Sequence, residues 1–291
     1  MSKEFAFINA LRGLATHPAA RGLADDCAVL DFGGEALVIT HDMMVEGIHW
    51  LPGQDMADVA WKLVATNLSD LAAKGAEPVG VLLGFTLGKQ DDRFVSGLGD
   101  ALNAFNVPLL GGDTVSANGP RSLGLTALGR ATHRPVPSRA GAKPGDTLWI
   151  TGPIGAAMLG FEALRDGSGG DSTAFRRPVP CLAEGLALAP LVTAMMDVSD
   201  GLLIDAARMA DASNVTFDID TAAVPFPADL PPSRRQEAMR WGDDYALLLT
   251  LPPATAPPCP ALCIGHARMR MSSPVIVDGA VPQGALGYVH D

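Results

Sequence analysis

The chain has 291 residues, 48% hydrophobic and 18% charged, so it can bury a large core and is long enough for two ordinary domains. Its 32 acids against 21 bases give a formal charge of −11, and with no Lys/Arg cluster anywhere this disfavours nucleic acid and anionic membrane as partners. Apolar runs such as Val79 to Phe85 fall far short of the roughly 20 residues that span a bilayer. The opening Met1-Ser2-Lys3-Glu4-Phe5 lacks a secretory pattern and the few cysteines form no disulfide framework, so a cytoplasmic location is expected.

Apolar periodicity predicts alternating helices and strands. An amphipathic helix is expected over Phe5 to Leu14, a short strand over Ala36 to Thr40, and a long helix over Ala57 to Lys74. A strand over Val79 to Leu87, a helix over Asp91 to Phe105, a brief strand over Pro108 to Leu110 and a strand over Leu123 to Gly129 complete a first α/β unit. Between Thr132 and Asp146 the chain is rich in Pro, Gly and base without apolar period, which places a domain boundary near residue 137 and divides the chain into 1–136 and 137–291. The pattern then restarts with a strand over Thr147 to Thr151, a helix over Ala156 to Leu164 and a loose segment from Gly167 to Arg177. Helices over Leu182 to Leu188 and Leu202 to Ala212 and strands at Thr193 to Met196, Val215 to Ile219, Ala246 to Leu251, Leu262 to Ile264 and Val275 to Val277 follow.

Short acidic stretches punctuate these elements: Asp25-Asp26, His41-Asp42, Ser69-Asp70, Gly112-Asp113, Asp197-Val198-Ser199-Asp200 and Gly242-Asp243-Asp244. Most are expected where a strand or helix meets a loop. Carboxylate oxygens suit Mg²⁺, which keeps several waters and is usually completed by substrate phosphates. An acidic protein that handles polyanionic phosphate must invert its local field, and bound divalent cations do this. A nucleotide-dependent enzyme is the leading reading.

Taken singly, several of these residues have ordinary explanations. Asp70 lies four residues before Lys74, an ion-pair spacing on a helix. The polar turn Asn67, Ser69, Asp70 nevertheless interrupts an apolar helix. Ser199 or Asp200 could cap the helix near Leu202. Gly111-Gly112-Asp113-Thr114 reads as a turn, and so does Gly242-Asp243-Asp244-Tyr245. The run from Asp197 fails the calcium-loop spacing, because Leu202 stands where the glycine belongs and Arg208 where the bidentate Glu belongs. P-loop, dinucleotide-binding and protein-kinase signatures are absent.

In order and spacing, a longer set of strings is specific: Asp25-Asp26-Cys27-Ala28-Val29-Leu30, Asp42-Met43-Met44-Val45-Glu46-Gly47-Ile48-His49-Trp50, Asn67-Leu68-Ser69-Asp70-Leu71-Ala72-Ala73-Lys74-Gly75-Ala76, Leu110-Gly111-Gly112-Asp113-Thr114, Ser138-Arg139-Ala140-Gly141-Ala142-Lys143-Pro144-Gly145-Asp146, Met196-Asp197-Val198-Ser199-Asp200-Gly201-Leu202 and Gly242-Asp243-Asp244-Tyr245. Together they resemble the thiamine-monophosphate kinase family, within the superfamily that includes aminoimidazole ribonucleotide synthase and selenophosphate synthetase.

The resemblance implies two α/β domains with mixed sheets, the N-terminal sheet pairing with its copy in a homodimer as a shared barrel. It implies ATP-dependent phosphorylation of thiamine monophosphate to thiamine diphosphate, the last step of cofactor synthesis. Carried over by position, Asp26, Asp42, Asp70, Asp113, Asp197 and Asp200 would hold several Mg²⁺ ions, with Thr40 and His41 assisting. Gly112, Asp113, Arg139 and Ser199 would contact ATP, and His49 and Asp243 the thiamine phosphate. Asp42, Asp70, Asp200 and Arg139 would carry the catalysis, by direct in-line transfer. The chain departs from the family at His41, where Ser or Thr is usual, at Asp243, where Glu is usual, and at Ala285, which aligns with a frequent aromatic. The alternative is a nucleotide- and Mg²⁺-binding superfamily member with another acceptor or without turnover.

Overall fold

In the computed structural model, described here for residues 3–290, the chain folds around two mixed β-sheets. The first half comprises α1 (Lys3–Arg12), β1 (Ala28–Phe32), β2 (Glu35–Val45), α2 (Met56–Ala72), β3 (Ala76–Thr86), α3 (Asp91–Ala104), β4 (Leu109–Val115) and β5 (Ser122–Ala131). Its sheet has the order β1-β2-β5-β3-β4, antiparallel except for the parallel β3–β4 pair, and is open at both edges within one chain.

Residues 132–146 contain neither helix nor strand and lead into the second half. That half comprises β6 (Thr147–Ile150), α4 (Ala156–Asp166), α5 (Thr173–Arg176), α6 (Leu182–Leu188), β7 (Ala194–Asp197), α7 (Leu202–Ser213), β8 (Val215–Ile219), α8 (Arg235–Ala238), β9 (Leu247–Leu251), β10 (Leu262–Met269) and β11 (Val275–Val277). Its sheet has the order β11-β8-β10-β6-β9-β7.

Helix α2 is the centre of the molecule. Asp55 caps it by accepting from the Ala57 N–H. Almost every residue from Met56 to Ala72 is buried, because one side packs on β2, β3 and β5 while others meet α3, α5, α6 and β7. A helix buried on all sides has no solvent face for polar residues, so Lys62, Asn67, Ser69 and Asp70 need partners inside the protein. The polar turn near the C-terminal end of this helix therefore marks a site.

Several local expectations change. Strand β1 was not expected. β2 continues through Asp42 to Val45, because its pairing with β5 runs unbroken from Leu37–Arg130 to Val45–Ser122. Gly111-Gly112-Asp113 is not a turn but part of β4, registered against Leu82, Leu83 and Gly84. Gly is required there: a Cβ on Gly112 would lie 2.0 Å from the Leu83 carbonyl oxygen. The segment Gly167 to Arg177 is not loose at its end, where Arg176 and Arg177 each reach a carboxylate oxygen of Asp58 on α2 at 2.5 Å. No helix among the described residues is long and apolar enough to cross a membrane.

Candidate active site

Strand alternation on β2 aims Thr40 and Asp42 at α2, and α2 presents Asn67, Ser69 and Asp70 to them. Thr40 Oγ1 donates to Asp70 Oδ2, and the Asp42 N–H donates to Asn67 Oδ1 at 3.0 Å. From the other sheet, Asp197 at the end of β7 accepts a hydrogen bond from Ser69 Oγ at 2.7 Å. Asp26 enters from the segment before β1. One oxygen each of Asp26, Asp70 and Asp197 lie within 4.8 Å of one another.

These carboxylates carry more negative charge than the protein balances. Burial, reinforced by Asp26 and Asp200, pushes Asp42 up to about 6. Burial and the charge of Asp26 raise Asp197 to about 8. Burial with Asp42, Asp197 and Asp26 holds Asp70 well above the usual carboxylate range. Hard oxygen donors, converging and short of counter-charge, fit a divalent cation such as Mg²⁺.

Cations of the protein border the cluster. Arg139 holds Asp26 Oδ1 through Nε at 2.8 Å and Nη2 at 2.5 Å. Lys74 does not pair with Asp70, four residues before it; its ammonium instead lies 2.5 Å from both Asp25 Oδ1 and Asp26 Oδ2. Although burial opposes its charge, Asp26 and Asp25 raise Lys74 above the ordinary lysine range.

The loop after β7 is built from within. Neither Ser199 nor Asp200 caps α7 through its side chain. Instead buried Asp205, on the first turn of α7, accepts from the N–H groups of Ser199 and Asp200 at 3.1 and 3.0 Å. Arg208 joins Asp205 to Asp200 at 2.8 and 2.5 Å. The stretch Gly242-Asp243 packs against this loop: a Cβ on Gly242 would lie 2.2 Å from the Ser199 carbonyl oxygen, and the Asp243 N–H donates to that oxygen at 2.8 Å.

A cavity of about 580 Å³ takes in this cluster and a second group of residues. Asp26, Asp42, Asp70, Arg139, Asp197, Ser199 and Asp200 line it together with His49 and Asp243. Asp243 is held by buried Lys62 at 2.8 Å and by the Tyr245 hydroxyl at 2.8 Å. Lys62 also donates to the His49 carbonyl at 3.1 Å and lies 3.8 Å from the centre of the Phe175 ring. Phe161 sits between Phe175 and Trp241, with ring centres 5.2 Å apart in both pairs.

Other expected site residues lie elsewhere in the single chain. Thr40 is buried behind Asp70. The His41 side chain points to the opposite face of β2, where its Nδ1 pairs with Thr126 Oγ1 at 2.9 Å. Gly112 and Asp113 are exposed on edge strand β4, outside the cavity, with Asp113 Oδ1 accepting from the Thr114 N–H at 2.9 Å. Conversely, Lys62, Phe161, Phe175 and Trp241 line the cavity without being sequence-predicted, as do Asp25 and Tyr245, which stand in or beside the acidic stretches but are assigned no role there. For Lys62 a signal was present, since a lysine inside an apolar helical stripe needs a buried anion.

Known proteins resemble the chain over both halves. Residues 24–131 match the family of the AIR synthase related protein, N-terminal domain, and residues 143–267 match the corresponding C-terminal domain. Thiamine-monophosphate kinase of Escherichia coli (strain K12) is 38% identical over 256 residues, covering 79% of this chain and 76% of the relative. The crystal structure of thiamine-monophosphate kinase from Stenotrophomonas maltophilia K279a is 30% identical, with a TM-score of 0.77 and coverage of 94% of this chain and 95% of the other. AaThiL complexed with AMPPCP and TMP shares the fold at a TM-score of 0.87 and 24% identity, over 98% of this chain and 97% of the other.

Proposed function

The chain belongs to the thiamine-monophosphate kinase family, and on that premise we propose that it transfers the γ-phosphoryl group of ATP to thiamine monophosphate, forming thiamine diphosphate and ADP. The observation that carries this reading is a single cavity holding a carboxylate cluster with Arg139 together with Asp243, His49 and an aromatic group. The AMPPCP and TMP bound by AaThiL, a nucleotide analogue and a phosphate ligand on the same fold, support it.

Both reactants are phosphate anions, so their approach is repulsive and catalysis rests on positioning and charge neutralisation. Mg²⁺ held by Asp26, Asp42, Asp70, Asp197 and Asp200 would neutralise phosphate charge when bound. Ser69 and Thr40 fix the carboxylates of Asp197 and Asp70, Asn67 fixes the backbone at Asp42, and Asp205 fixes the loop that carries Ser199 and Asp200. Arg139 is placed to offset charge on the ATP phosphates, with Ser199 as a further ATP contact. The acceptor oxygen belongs to a phosphate already deprotonated near neutral pH, so no strong general base is needed and transfer is direct and in-line. Asp243 and His49 face the acceptor, and Trp241 and Phe161 offer its rings an aromatic surface.

The same reading includes a homodimer. The N-terminal sheet leaves Met43, Leu82 and Leu110 at 55%, 39% and 52% exposure on its strands. Pairing this sheet with its copy would cover apolar surface. It would also turn edge strand β4, with Gly112 and Asp113, toward the second copy. The domain division at 1–136 and 137–291 belongs to this proposal too, the first supplying most metal carboxylates and the second Arg139, Ser199 and Asp243.

ADP formation from ATP and Mg²⁺ tests the function. Thiamine monophosphate should raise it well above background while free thiamine does not; equal rates with and without the monophosphate would sink the proposal.

A further inference from the structure

Lys74 is completely buried just past the end of α2. Its ammonium reaches Asp25 Oδ1 and Asp26 Oδ2, both at 2.5 Å, and the Met195 carbonyl at 3.5 Å, which accounts for its donors. Asp25 is further held by Arg21 at 2.6 Å, and Arg21 in turn donates to the carbonyls of Val136 and Pro137 in the stretch between the two sheets. Asp26 is different. It is one of the three converging carboxylates, yet one of its oxygens faces Lys74 and the other faces Arg139.

A lysine that only tied the chain together would not need to end on a carboxylate of the metal cluster. We propose that Lys74 is a resident cation of that cluster, its ammonium holding the place between Asp25 and Asp26 that a divalent ion would otherwise take. The inference rests on reading the carboxylates as a Mg²⁺ site and goes beyond it. A fixed monovalent charge there lowers the number of divalent ions the cluster would bind and leaves the remaining lone pairs of Asp26 to a cation held jointly with Asp70 and Asp197. Lys74 is thus a positioning residue for the metal-bound phosphates, without touching substrate.

Mn²⁺ serves as the probe, counted per chain by electron paramagnetic resonance with a non-hydrolysable ATP analogue present. Lys74→Met should raise the count by about one ion per chain, because Asp25 and Asp26, left with only Arg21 and Arg139 as counter-charges, then have free oxygens facing each other that recruit a cation. An unchanged count and affinity in a folded Lys74→Met protein overturns the role of Lys74 while leaving the metal site intact. No Mn²⁺ bound by the unaltered protein overturns both. Anomalous diffraction from crystals of the unaltered protein soaked in Mn²⁺ decides the matter even when the variant does not fold. Peaks at Asp70 and Asp197, with Lys74 still between Asp25 and Asp26, are expected; a Mn²⁺ peak bridging Asp25 and Asp26 with Lys74 displaced contradicts the proposal.

Discussion

Ser69 on α2 donates a hydrogen bond to Asp197 at the end of β7 across 2.7 Å, joining residues 128 positions apart and linking the two sheets at the carboxylate cluster. Both side chains are buried, Asp197 on the wall of the cavity. Ser69→Ala removes a donor to a buried carboxyl and should cost about 1–3 kcal/mol of stability in urea unfolding. It should also weaken Mn²⁺ binding, since Asp197 loses the group that fixes its orientation. An unchanged denaturation midpoint would show that the hydroxyl contributes nothing.

Asp70 separates folding from function. Because burial and its acidic neighbours favour its neutral form without metal, an isosteric amide loses little in the metal-free fold. Asp70→Asn should therefore unfold at the same temperature as the unaltered chain or higher, yet lose nearly all activity and most Mn²⁺ affinity. A folded Asp70→Asn protein with an intact rate would remove Asp70 from the chemistry.

Trp241 and Phe161 line the cavity with Phe175, Tyr245 and Tyr288, while Ala285 contributes its backbone carbonyl to Arg240 at 3.0 Å. Trp241→Ala should raise the KM for thiamine monophosphate about fivefold, from the loss of roughly 1 kcal/mol of ring contact, with kcat little changed. Steady-state kinetics with each substrate varied in turn check this. A rise in the KM for ATP alone would place Trp241 at the other substrate.

The raised carboxyls fix the sign of the pH dependence. Asp42 near 6 and Asp197 near 8 keep protons in the metal-free fold that the unfolded chain, with carboxyls near 4, has released. The native state therefore binds more protons across that window, and metal-free stability falls as pH rises from about 4 toward 8. Mg²⁺ must displace those protons, so its affinity rises over the same range and binding releases protons. Thermal unfolding at pH 6 and pH 8, with and without Mg²⁺, reads both effects. Metal-free stability that climbs with pH would contradict the reading.

Much of this was legible in the residues. Asn67 to Asp70 is legible because it interrupts an apolar helix, Asp25-Asp26 and Asp197 to Asp200 because carboxylates recur where elements meet loops, and the long helix is clear from its spacing. What the sequence hid was long-range pairing. Lys74 four residues after Asp70 reads as a local ion pair, but α2 is enclosed on every side, and the segment carrying Asp25 and Asp26 lies closer to the ammonium. Gly111-Gly112-Asp113 reads as a turn because glycine favours turns; here the missing Cβ serves strand contact with Leu83. The clamp of Arg176 and Arg177 on Asp58 spans more than a hundred residues, which no periodicity reveals. Trp241 and Phe161 lacked any motif and became visible only as walls of one cavity.

The most direct test follows the transferred atom. With ATP labelled at the γ-phosphorus, Mg²⁺ and thiamine monophosphate, separation of the products should place the label in the terminal phosphate of thiamine diphosphate, in step with ADP release. Label recovered only as inorganic phosphate, or retained in ATP, would contradict the account.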